Sequence, residues 1–139
     1  MSTSVEIKEF GSVDELLRYI DQQIDTLRKQ LGELLRAIEE SRIKAEQERK
    51  LKELLAKLAG GNIPETPSVV ELKNIRLYIN PSAENEISIL EQAAEVINNK
   101  MMQLQAIRKD LEALTGVDIN TTLRVVIVDG VPRALIIKV

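Results

Sequence analysis

From position 13 the chain places an aliphatic residue at alternating steps of four and three: Val13, Leu17, Ile20, Ile24, Leu27, Leu31, Leu34 and Ile38. That spacing aligns them along one side of an α-helix and favours a left-handed supercoil with a partner helix. Leu16 and Leu35 widen the stripe. Ser12 and Glu15 have the spacing of a capping box, in which each side chain satisfies a free N–H of the first turn. The series then meets Ser41, Ala45 and Glu48, where the seam fades, although residues 39–50 remain helix-favouring. Leu51, Leu54, Leu55 and Leu58 resume an apolar face in a shifted register before Gly60-Gly61 stops the helix. The pattern predicts one helix over 12–59, on the order of 70 Å long at ~1.5 Å per residue. That length implies an elongated chain.

Residues 62–67 form a proline-containing loop, and 68–79 read as a strand, with Ile75, Leu77 and Ile79 alternating against Arg76 and Tyr78. Asn80-Pro81 supplies an N-cap and a proline for the first helical position. A second helix over 81–115 repeats the spacing with Ala83, Ile87, Leu90, Ala94, Ile97, Met101 and Leu104. After a phase slip Ile107, Leu111 and Leu114 continue it, and Gly116 closes it.

The tail over 121–139 is a β-hairpin: two β-branched, aliphatic runs flank Asp129-Gly130, a pair suited to positive φ at both turn positions. Pairing Val128 with Val131 puts Leu123, Val125, Ile127, Ala134 and Ile136 on one face. Val126, Val128, Val131, Leu135 and Ile137 fall on the other, with Arg124 and Arg133. Two apolar faces need cover, from the 68–79 strand, from helices or from another chain. VEIKEF (5–10) is a candidate further strand. Pro132 has no N–H, so pairing to a second copy is expected along 134–139 or on the opposite strand.

Composition narrows the chemistry. The 139 residues contain no Cys and no His, which excludes disulfides, thiolate sites and the commonest acid/base and metal ligand. Aromatic content of 2% leaves an aliphatic core of the kind helix pairs use. The absence of Cys points to a cytoplasmic protein. No apolar leader is expected, aliphatic runs of no more than four residues are too short to span a membrane, and the net charge of −3 argues against nonspecific binding to nucleic acid or acidic membranes.

Two constellations are candidates for chemistry. Pro64-Glu65 with Glu71-Leu72-Lys73 resembles the proline–acid…acid-x-Lys pattern of metal-dependent nucleases, but with Glu for the usual Asp and a shorter spacing; chance in a charged chain explains it better. Arg42, Lys44, Arg49, Lys50, Lys52 and Lys57 form a basic stretch suited to phosphates, yet Glu46, Glu48 and Glu53 interrupt it and no aromatic residue lies near. Pairing with the acidic start of the second helix (Glu84, Glu86, Glu91, Glu95) explains that stretch better and makes the helices antiparallel. Met101 and Met102 fit core filling better than an adaptable binding surface.

The expected architecture is mainly α with a small β module, in a single elongated domain over 1–139. Two long antiparallel coiled-coil helices carry a C-terminal hairpin that pairs with the strand between the helices. The helix-pairing seam comprises Val13, Leu17, Ile20, Ile24, Leu27, Leu31, Leu34, Ile38, Ile87, Leu90, Ala94, Ile97, Met101 and Leu104. Leu123, Val125, Ile127, Leu135 and Ile137 form the oligomerisation hairpin. No catalytic residue, cofactor or metal is expected. The expected function is a non-enzymatic scaffold or adaptor that forms a homo-oligomer, a dimer or higher even assembly, and engages a further protein. Paired helices with a β assembly element are similar to the layout of prefoldin, which implies a holdase chaperone as the alternative; prefoldin places its hairpins between the helices, whereas here the expected hairpin follows the second. A nucleic-acid binder using 42–57 comes third.

Overall fold

A computed structural model describes residues 4–59, 68–79, 81–116 and 122–138. The chain is mainly helical, with two long helices and small antiparallel sheets. In order they are β1 (Val5–Phe10), α1 (Val13–Ala59), β2 (Ser68–Glu71), β3 (Arg76–Ile79), α2 (Ala83–Glu112), β4 (Leu123–Val128) and β5 (Val131–Ile137). Two compact units result, one from Met1–Leu31 with Val96–Val139 and the other from Gly32–Glu95.

α1 begins where its cap chemistry requires. The Glu15 N–H donates to Ser12 Oγ at 3.2 Å, while the Glu15 carboxylate accepts from the Gly11 N–H at 2.8 Å, one residue earlier than in the usual box. α2 starts later than Asn80-Pro81 suggested. Ser82 is its N-cap, accepting from the Asn85 N–H at 3.2 Å, so Pro81 precedes the helix; Asn80 lies outside the described residues. At the other end α2 stops at Glu112. Thr115 Oγ1 donates to the Glu112 carbonyl, and Gly116 takes φ +89°, the left-handed geometry that ends helices.

In the first unit the sheet order is β1-β4-β5, antiparallel throughout. This corrects the expected partner of the hairpin: β4 pairs with β1, not with the 68–79 segment, and is therefore the central strand. VEIKEF thus makes a strand of the main sheet. Asp129 (φ 51°) and Gly130 (φ 80°) form the turn that the dipeptide demanded. Asp129 also anchors the start of β1, since its carboxylate accepts from the Ser4 N–H and its own N–H donates to the Ser4 carbonyl, both at 2.8 Å.

The hairpin's faces differ from a regular ladder. Ile127 pairs with Pro132 but Val126 pairs with Ala134, leaving Arg133 as the extra residue of a bulge. That one-residue slip moves Leu135 and Ile137 onto the face of Leu123 and Val125. The core of the unit joins Leu16, Ile20 and Ile24 of α1, Met101 and Leu104 of α2, and Val125, Ile127 and Val131 of the sheet. Val13, Leu17 and Leu123 extend it.

The second unit contains another correction. Residues 68–79 are not one strand but a hairpin, in which Val70 pairs with Leu77 and Glu71 with Arg76. The Leu72 N–H donates to the Ile75 carbonyl at 2.9 Å, closing a turn over Lys73-Asn74. Without Gly or Pro, that turn leaves little mark in the sequence. In the same unit the α1 series does not fade after Ile38. Ser41 is buried, Ala45 and Glu48 are half-buried, and Glu48 accepts from the Ala83 N–H at 3.3 Å. Arg42 meets Glu91 at 3.6 Å. Read together, these contacts run in opposite directions along the two helices.

Candidate interaction surface

The seam residues have two degrees of enclosure. Val13, Leu17, Ile20, Ile24, Ile38, Met101 and Leu104 are buried, and Leu27, Leu31, Leu34, Ile87, Leu90, Ala94 and Ile97 are half-buried. In the first unit, Leu27, Leu31 and Ile97 pack against the core. Arg108 clamps Asp21 and Glu112 beside it, and the hydrogen bond to Asp21 raises the guanidinium's proton affinity above its ordinary value.

The residues expected to join subunits lie on β4 and β5, and they differ in enclosure. Leu123, Val125 and Ile127 are at most 1% exposed, because the chain's own helices cover them. Leu135 is half-buried and Ile137 partly exposed on the same side. These side chains offer a second copy little surface. Nor is β4 open to strand pairing, since β1 and β5 take both its edges.

The opposite side of the sheet is the open one. Register places Val5, Ile7 and Glu9 of β1 beside Val128, Val126 and Arg124 of β4, with Ala134 and Ile136 of β5 next to Val126 and Arg124. Val128 itself pairs with the core residue Val131 and lines a depression with Lys100 and Gln103 of α2. Val5 and Ile7 are 65% and 64% exposed and Ile136 is 41% exposed. Glu9 and Arg124 form a 3.4 Å ion pair at one end of this face. Beside them lies a depression of about 210 Å³, lined also by Thr122, Ile136 and Lys138. Sequence reasoning missed this face because the bulge resorts β5. Val5 and Ile7 were nonetheless readable from their alternation with Glu6 and Lys8.

On the covered side, the Lys8 ammonium sits 4.7 Å from the centre of the Tyr19 ring, which also meets Phe10 at 5.5 Å. Burial, and then the charge of Glu6, raise the Tyr19 pKa.

The other expected chemistry disperses. Pro64 and Glu65 lie outside the described residues, and Glu71 engages Arg76 at 3.2 Å. In the basic segment, Arg42 meets Glu39 and Glu91, and Arg49 meets Glu46. Among the described residues no helix is long and apolar enough to cross a membrane, and no group of three or more acidic side chains is placed to hold a metal. Compared with protein families, curated proteins and solved structures, the chain matches none.

Proposed function

We propose that the chain is a non-enzymatic scaffold: its two helices pair as an antiparallel coiled-coil hairpin, and its β module joins copies into a homo-oligomer that presents the helices to a protein partner. The observation that carries this reading is the open aliphatic face of β1-β4-β5. Soluble monomers seldom leave a contiguous apolar sheet face to water, and such faces mark interaction sites. The ion pair of Arg42 with Glu91 and the hydrogen bond that the Ala83 N–H donates to Glu48 support the antiparallel pairing. The test is sedimentation velocity of the full chain over a wide concentration range. Self-association predicts species at multiples of the 15.6 kDa chain mass. A single 15.6 kDa species at every concentration sinks the reading.

A holdase chaperone is the second reading, and one observation favours it. The β2-β3 hairpin lies between the helices in sequence and leaves Val70, Leu72, Ile75 and Leu77 exposed. An unfolding client would bind such side chains, so the protein should suppress light scattering from a heated client enzyme. Replacing Leu72 and Ile75 with Ser should abolish that suppression. Nucleic-acid binding has less support, because Arg42 and Arg49 already have acidic neighbours.

A further inference from the structure

We propose that a second copy of this chain seats face to face on the open side of β1-β4-β5, across a two-fold axis that runs along the strands. The inference rests on the self-association reading and specifies its contact. Val5, Ile7, Val126, Ala134 and Ile136 supply the apolar part of the face, and the Glu9–Arg124 pair supplies its charged end.

Face-to-face contact suits this sheet better than edge pairing. The β5 edge is interrupted by Pro132, which has no N–H, and by the bulge at Arg133. The β1 edge belongs to a strand carrying Glu6, Lys8 and Glu9, charges of the kind that deter strand addition.

The charge pattern selects both the occupant and the axis. The charged row contains one acid and one base, so it is complementary to its own copy. With the axis along the strands and set between β1 and β4, charged row meets charged row, and Glu9 of each copy faces Arg124 of the other; an axis centred on β4 would set Arg124 against Arg124. An axis across the strands would press the ion pair onto the apolar end of the face at Val5. There the charges would lose water and gain no new partner.

The size of the face sets the strength. Three strands about 4.8 Å apart and about six residues long cover roughly 300 Å² in plan. A standard stable interface buries about 800 Å² per partner. The dimer should therefore be weak and concentration-dependent.

Sedimentation velocity of full-length variants tests the geometry. Ile7→Lys changes a side chain that is 64% exposed, so the fold should survive and the dimer should not form. Met102→Lys, at 59% exposure and outside the sheet, should dimerise as wild type does. Glu9→Arg alone and Arg124→Glu alone each leave only like charges in the row and should raise the dimer dissociation constant at least about tenfold. An equimolar mixture of those two variants should restore association, because each row then meets its opposite. A merely misfolded variant gains nothing from mixing. The proposal is overturned if wild type self-associates while Ile7→Lys keeps the same mass, or if the mixture associates no better than its components. A wild type that stays monomeric defeats the self-association reading itself, a result distinct from either.

Discussion

Arg108 on α2 grips Asp21 on α1 with two prongs: Nε donates to Oδ1 at 2.6 Å and Nη2 donates to Oδ2 at 3.2 Å. A planar guanidinium matches a carboxylate in this way, and an ammonium does not. Because Nη1 also reaches Glu112, the arginine ties the last turn of α2 to the same contact. Arg108→Lys keeps the charge and loses the fork. The melting temperature should fall modestly, since partly exposed ion pairs contribute little. A double-mutant cycle with Asp21→Asn should show coupling between the two sites, and strict additivity would mean the fork does not hold in solution.

The interior of the first unit should be far more sensitive. Ile20 is fully enclosed among Leu16, Ile24, Met101, Leu104 and the inner side of the sheet. Ile20→Ala should cost about 2–5 kcal/mol in chemical denaturation through lost burial and the cavity left behind. Leu51 is 55% exposed, and Leu51→Ala should change stability by no more than about 0.5 kcal/mol. Similar losses at both positions would show that the helix faces are misassigned.

Gly32 lies inside α1, and a Cβ built there meets nothing within 4 Å. Gly32→Ala should therefore stabilise the chain by about 0.5–1 kcal/mol, because alanine loses less backbone freedom on forming a helix. A lower denaturation midpoint would mean that the position needs glycine for contact or for bending.

Tyr19 makes a pH prediction. In the folded chain its pKa lies above the ordinary 10.0, through burial and then through Glu6, so the folded state keeps the phenol proton where the unfolded state has released it. This contribution to stability is present below about pH 10 and is lost as pH rises through the higher folded pKa. Phenolate absorbance of Tyr78→Phe, whose only tyrosine is Tyr19, should titrate with a midpoint above 10.0. An ordinary midpoint would show that the ring is freely solvated.

The sequence by itself determined what depends on neighbours along the chain. Four/three aliphatic spacing located both helices, Ser12 with Glu15 marked the start of α1, and Asp129-Gly130 set a tight turn, because each works within a few residues. Tertiary structure decided the rest. Which strand β4 accepts is a choice between segments more than forty positions apart in the chain, and local alternation in VEIKEF and in 68–79 qualified both. The slip at Arg133 changes the facing of every later β5 residue, yet no residue type there announces it. Among 19 basic and 22 acidic side chains, the pairing of Arg108 with Asp21 was equally unreadable. The open sheet face follows from the same cause: exposure belongs to the assembled layers, and a strand's own pattern shows two faces without showing which one the helices cover.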